Sequence, residues 1–305
     1  LLLPAAEAAV DREVAVLHGG NSSVPFTGSV YLMLTRNPLR PPLTGPDWFA
    51  PEPFFRMEVE NWKPGSTVTF SPDTPGYGAT LAELSGTWRI QAVMRDSQDA
   101  ASLAGGRCLV SEVERIDADA DGTWPLTLHL DELREPDLDP RLPDATIVTR
   151  RSDLLSEFHG REINHRAMLF FPPGFDAEAN RAWPTLYVIG GFPGDLGQAR
   201  TARGMWFDRL KNTDFVVAYL DGECGTGHHV FADSSNNGPR GTALVEEFIP
   251  WLEASYPLRR DAAGRLLTGH SSGGWSSLWL QVMHPTTFGG TWSTAPDPVD
   301  FHAFQ

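Results

Sequence analysis

Cysteine is scarce in this chain of 305 residues, which has only Cys108 and Cys224, one in each half. Two distant cysteines are too few for a disulfide scaffold, and they lack the close spacing of a zinc knuckle. We therefore expect two free thiols, and the sequence leaves a single bridge between them open.

Basic residues are also in deficit, because 24 Lys and Arg face 39 Asp and Glu for a net charge of −15. Nucleic acids and anionic membranes both require a basic surface, so we expect neither as a partner. No run approaches the roughly 18 apolar residues of a membrane-spanning helix. The sequence leaves the oligomeric state open. Its 41% apolar residues and 10 tryptophans predict sizeable cores.

The chain starts with an apolar run, Leu1-Leu2-Leu3, followed by an alanine-rich stretch. Residues 1–10 look like the end of a signal peptide with an Ala-x-Ala cleavage site. This pattern predicts export, and hence a secreted or periplasmic protein. A frayed terminus is the alternative.

Residues 11–145 contain several short apolar alternations separated by turn residues, and they show hardly any helical periodicity. This texture predicts a small β-sandwich domain. A proline-rich connection is predicted from Pro38 onward, and it carries the aromatic cluster at 48–62. This cluster, which includes Trp48 and Trp62, is either the core of that domain or a sugar-stacking surface. Residues 117–122 resemble the opening of a calcium loop, but Leu128 stands where the bidentate Glu is required. We interpret them as an acidic hairpin turn.

From residue 146 onward, short apolar strands alternate with helical patterns. Strands are predicted at 185–189 and 215–220, and helices at 196–211 and 242–256. Such alternation predicts an α/β fold with a mostly parallel sheet covered on both faces. We therefore divide the chain into a terminal segment at 1–10 and domains at 11–145 and 146–305.

Residues 269–273 form the pattern Gly-x-Ser-x-Gly, centred on Ser271. An apolar strand precedes the pattern, and apolar residues at i, i+3, i+4 and i+7 predict a helix after it. Strand, turn and helix together are typical of a nucleophile elbow, in which a tight turn exposes the serine hydroxyl. A turn whose serine only caps the helix is the alternative. We favour Ser271 as a nucleophile.

Acyl transfer also needs backbone N–H groups that stabilise the oxyanion. In this arrangement one comes from the residue after the nucleophile, here Ser272. The other comes from a glycine-rich loop after an earlier strand, here Phe192 or its neighbour Gly191.

Four stretches carry a family resemblance: residues 184–192, 233–239, 246–253 and 269–274. Together they resemble the putative-esterase family of α/β-hydrolases, which includes esterase D, feruloyl and enterochelin esterases and mycolyltransferases. The resemblance implies an α/β-hydrolase-type sheet, a Ser–Asp/Glu–His triad, no metal and no organic cofactor. It also implies a small-molecule or polysaccharide-linked ester as substrate, and an immunoglobulin-like character for the N-terminal sandwich.

The triad acid and histidine should follow the serine, each after a later strand. The 34 residues after Ser271 contain Asp297, Asp300, His284 and His302. His284 lies at the predicted helix end, and Asp297 comes one strand too early. We therefore expect a C-terminally truncated chain whose acid and base lie beyond Gln305.

His228 and His229, in the loop at 222–239, could border the expected cleft, where they touch either substrate or nothing. We interpret His229, and His270 beside the nucleophile, as candidate substrate contacts. The function predicted is a carboxylic-ester hydrolase that acts through a Ser271 acyl-enzyme. Two alternatives are an acyltransferase with the same site, and a non-catalytic carbohydrate-binding protein that uses Trp48 and Trp62.

Overall fold

The computed structural model describes residues 12–19, 24–47, 49–95, 99–101, 103, 106–119, 126–135, 145–178, 180–199 and 213–298. The chain divides into two compact units, Leu1–Pro136 and Asp137–Gln305. Several sequence predictions fall outside the described residues: the segment 1–10, Trp48, most of the helix at 196–211, Asp300 and His302.

The first unit consists of two β-sheets. Its strands are β1 (Val14–His18), β2 (Phe26–Thr35), β3 (Phe54–Trp62), β4 (Thr67–Phe70), β5 (Gly76–Tyr77), β6 (Thr87–Arg95), β7 (Cys108–Val110), β8 (Glu114–Asp117), β9 (Leu126–Leu130) and β10 (Glu132–Arg134). One sheet has the order β4-β1-β9, and the other has the order β10-β7-β6-β2-β3-β5 with β8 paired to β6. Short 3-10 helices lie at Pro42–Thr44 and Leu81–Glu83.

One hydrophobic core joins the two sheets of the first unit. Val16 and Leu128 reach it from the smaller sheet, and Leu32 and Ile90 reach it from the larger one. The alternating burial along β1 is the pattern of a strand with one face on a core. The described strands thus form a two-sheet sandwich.

The sequence prediction for residues 48–62 was wrong in its secondary structure. A proline-rich connection was expected there, but strand β3 begins at Phe54, directly after the last proline. Trp62 is 6% exposed and contacts the ring of His18, with a centroid distance of 4.9 Å. Trp62 is therefore a core residue and does not offer a surface on which a sugar could stack.

The second unit contains a mixed six-stranded sheet. Its strands are β11 (Ala145–Ser152), β12 (Ile163–Phe170), β13 (Thr185–Ile189), β14 (Val216–Leu220), β19 (Arg265–Ser271) and β20 (Gly290–Pro296), in the order β11-β12-β14-β13-β19-β20. The last four strands of that order run parallel to one another. Strands β11 and β12 are antiparallel to their neighbours. The predicted α/β class is confirmed.

The central strands of this sheet are buried on both faces. Tyr187 and Ala218 point into one core, while Val188 and Val217 point into another. Burial on both faces explains why β13 and β14 read as continuous apolar runs rather than as alternations. Two short hairpins, β15 (Glu223–Cys224) with β16 (Gly227–His228) and β17 (Asp233–Ser234) with β18 (Gly238–Pro239), follow β14.

Helices cover the sheet of the second unit. They span Asp153–His159, Arg240–Ala243, which continues through a π-helical turn at Leu244–Phe248 into Ile249–Ser255, and Ser272–Met283, here called the elbow helix. Two 3-10 helices lie at Leu196–Gln198 and Ala262–Gly264. None of the helices in the described ranges is long and apolar enough to cross a membrane.

Small residues form the buried face of the elbow helix. Gly273, Gly274, Ser276 and Ser277 are buried, whereas Val282 of the apolar stripe seen in the sequence is 72% exposed. The predicted helix is confirmed. Its short side chains let it approach the sheet closely, which periodicity alone does not reveal.

The two cysteines, Cys108 and Cys224, are buried free thiols.

A buried ion pair connects the helix Ile249–Ser255 to strand β19. Glu253 accepts bonds of 2.6 and 2.8 Å from Nε and Nη2 of Arg265, and the two side chains are only 4% and 14% exposed. Removing one member of such a pair leaves a buried charge without its partner.

We predict that Glu253→Gln lowers the free energy of unfolding of the second unit by about 3 kcal/mol. Urea unfolding followed by tryptophan fluorescence measures this. Asp214→Asn, which removes the acid of the exposed Arg181–Asp214 pair, is the matched control and should cost less than about 1 kcal/mol. Equal losses in the two variants would contradict the assignment of the buried pair.

Candidate active site

Ser271 lies in the turn between β19 and the elbow helix, with φ of 57° and ψ of −127°. Positive φ is uncommon for a residue with a side chain, and it marks a strained turn. The side chain makes no capping hydrogen bond to the helix. The alternative in which Ser271 only caps the helix therefore does not describe this turn.

Three glycines allow this turn to form. A Cβ atom at Gly269 would lie 2.1 Å from the carbonyl oxygen of Gly273, and a Cβ at Gly273 would lie 2.1 Å from that of Ile189. At Gly274 it would lie 2.9 Å from the carbonyl oxygen of Thr294. These obstacles are backbone atoms that cannot rotate away, so the spacing of glycines around Ser271 is a packing requirement.

The glycine-rich residues 190–194, here called the predicted oxyanion loop, lie against the elbow. This loop follows β13, and a Cβ built on Gly191 would be 3.5 Å from the Cβ of Ser271. The side chain of Phe192 is 52% exposed. Ser272 is the first residue of the elbow helix, and the first N–H groups of a helix have no partner within it. The residues predicted to donate to an oxyanion thus border Ser271 from two elements.

Asp297 is brought to Ser271 by the neighbouring strand. Strand β20 runs parallel to β19 with Ser271 opposite Pro296, so both strands end at the same edge of the sheet. Ser271 Oγ donates to Asp297 Oδ1 over 3.1 Å. In the described part of the chain no histidine is hydrogen-bonded to Ser271. The sequence placed Asp297 one strand too early to be the triad acid, and it gave no sign of this direct contact.

The histidines of the region take different positions. His270 is exposed beside Ser271, whereas His284 ends the elbow helix, as predicted. His229 is 4% exposed, and its Nδ1 accepts from the backbone N–H of Phe231 over 3.2 Å. Burial lowers the pKa of His229 well below its usual value. The side chain of His229 is thus buried in this structure, and its role as a substrate contact stays a prediction.

His228, the neighbour of His229 in the same loop, lies closer to the elbow. Its Nδ1 is 3.1 Å from Ser272 Oγ. Burial lowers the pKa of His228 to about 4, so the ring is neutral at physiological pH. Within the described ranges no three His, Cys, Asp or Glu side chains are grouped so that they could hold a metal ion.

The family model described as "Putative esterase" matches residues 156–300, slightly less than half of the chain. These residues are therefore similar to the esterase family. The match includes the turn at Ser271, the predicted oxyanion loop and Asp297. No curated protein matches the chain.

Solved structures of esterases and related hydrolases are similar to the chain. A ferulic acid esterase from Anaeromyces mucronatus is 17% identical, with a TM-score of 0.38, over 53% of this chain and 65% of that one. An S-formylglutathione hydrolase from Agrobacterium tumefaciens is 13% identical, with a TM-score of 0.39, over 48% and 56%. A fluorophosphonate-binding serine hydrolase from Staphylococcus aureus is 12% identical, with a TM-score of 0.40, over 50% and 57%. The chain thus spans less than two thirds of each.

We predict that Gly269→Ala lowers the stability of the second unit by at least about 2 kcal/mol, because the new methyl group would overlap the backbone of Gly273. Calorimetric unfolding measures the change. Gly290→Ala is the matched control on the adjacent strand, where the nearest atom would be 3.9 Å away. That variant should change stability by less than about 1 kcal/mol. Equal effects of the two substitutions would contradict the close-packing account of the elbow.

Proposed function

We propose that this protein is a serine hydrolase that cleaves carboxylic esters through an acyl-enzyme on Ser271. The observation that carries the proposal is the conformation of Ser271, a non-glycine residue at positive φ between a strand and a helix whose glycines pack against backbone. A serine with only a structural role has no need of such a turn. The match of residues 156–300 to an esterase family supports the same chemistry.

In the proposed reaction, Ser271 Oγ attacks the ester carbonyl carbon and loses its proton to a general base. The carbonyl oxygen becomes an oxyanion, to which the N–H groups of Ser272 and of Phe192 or Gly191 donate. Collapse of the tetrahedral intermediate breaks the bond to the alcohol, which leaves with the proton. Water then attacks the acyl group, releases the carboxylic acid and restores Ser271.

Asp297 holds the Ser271 hydroxyl in the resting site, in this proposal, rather than removing its proton. A carboxylate is a much weaker base than an imidazole, so it does not efficiently deprotonate a serine. We assign the general base to a histidine, as the family resemblance implies, and place it outside the described residues. Asp297 then keeps Oγ oriented until that base and the substrate are in place.

We propose that the substrate is a small-molecule or polysaccharide-linked ester. We also propose that the protein is secreted or periplasmic. The exposed ring of His270, next to Ser271, would border the acyl group. The first unit is proposed to be an immunoglobulin-like accessory domain. A carbohydrate-binding role for that domain is less favoured, because Trp62 is buried in its core.

We predict that Ser271→Ala in the complete protein lowers turnover of p-nitrophenyl acetate by at least about 1,000-fold, because the nucleophile is lost. The release of nitrophenolate measures this. Ser255→Ala is the control, since that hydroxyl only bonds the carbonyl of Trp251 at a helix end, and it should keep full activity. Turnover that persists in Ser271→Ala would contradict the proposed nucleophile. Transfer of the acetyl group to added alcohols instead of water would favour the acyltransferase alternative.

A further inference from the structure

The hairpin formed by β15 and β16 packs against the predicted oxyanion loop. It follows β14, and the residue directly before it is bound to that loop, since the N–H of Gly222 donates to the carbonyl of Gly194 over 2.8 Å. A Cβ at Gly227 would lie 2.3 Å from the ring of Phe192, so this ring rests on the glycine. The loop that carries Phe192 is therefore packed on a second structural element.

Within this hairpin, His228 contacts both segments that carry the proposed oxyanion donors. A Cβ at Gly194 would lie 2.7 Å from its ring, so the ring packs on the loop that carries Phe192. On its other side, Nδ1 is 3.1 Å from Ser272 Oγ. One side chain thus contacts the segments of both proposed N–H donors.

The ring of His228 is suited to a fixed hydrogen bond and unsuited to proton transfer. Its Nε2 is buried against Gly222 and Gly194 and has no hydrogen-bond partner among the described residues. A charged ring would bury an unpaired N–H, which is costly. A neutral ring that donates from Nδ1 to Ser272 Oγ leaves only a bare acceptor at Nε2.

We propose that His228 is a positioning residue that holds the two oxyanion donors at a fixed separation, by binding the Ser272 side chain while packing against the oxyanion loop. This role rests on the proposed esterase function. Preorganised donors stabilise an oxyanion because they need not reorient when the charge develops. Loss of the contact should therefore weaken binding of the transition state more than binding of the substrate.

The test is a double-mutant cycle of His228→Phe and Ser272→Ala in the complete protein. The first keeps a ring on the glycines and removes Nδ1, while the second removes Oγ and keeps the backbone N–H. Each should lower kcat about 10-fold or more with little change in KM, and the double variant should be no slower than the worse single one. Binding of a trifluoromethyl ketone, a mimic of the tetrahedral intermediate, should weaken in parallel.

Several outcomes distinguish the possibilities. Unchanged kcat, additive losses, or a rise in KM alone would overturn the positioning role, even if Ser271→Ala is inactive and the proposed function holds. Full activity in Ser271→Ala would overturn the function itself. His159→Phe, a histidine at the end of another helix of this unit, is the control and should leave activity unchanged. The same cycle measured by urea unfolding tests the contact without turnover, and additive stabilities would overturn it.

Discussion

The conformation of Ser271 depends on the close approach of two backbone segments. Gly273 packs against the carbonyl of Ile189, and Gly269 packs against Gly273, so the elbow helix starts directly on the sheet. A residue held at positive φ costs on the order of 1–3 kcal/mol, and it persists only where its surroundings determine it. The backbone contacts of Gly269 and Gly273 hold Ser271 in this conformation. The absence of Cβ atoms at these glycines therefore lets Ser271 adopt its conformation in the turn.

The rest of the candidate site follows from parallel strands that end at one edge. The oxyanion loop follows β13, the hairpin with His228 follows β14, Ser271 ends β19 and Asp297 follows β20. In open α/β sheets the carboxyl ends of the strands form the binding edge. Four segments that follow different strands are thereby brought to the region of Ser271 and Ser272.

The sequence predicted those features that depend on local order. The elbow needs strand, glycines and helix in immediate succession, and strand β13 is a continuous apolar run, so both could be read directly. Contacts between neighbouring strands could not, because register decides that Asp297 meets Ser271. The contact of His228 with Ser272 could not be predicted either, because it joins residues that lie 44 positions apart in the chain. Strand β3 was missed because the prolines before it suggested a connection.

The most direct test of the account is to map the residue that reacts with an alkyl fluorophosphonate in the complete folded protein. The Ser271 oxygen should form a bond to phosphorus as fluoride leaves, because the elbow exposes this hydroxyl beside N–H donors. Mass spectrometry should then find one adduct, at Ser271 in the tryptic peptide that begins at Leu266, and no adduct after prior unfolding. An adduct on another residue, or equal labelling of folded and unfolded protein, would contradict the claim that this turn activates Ser271.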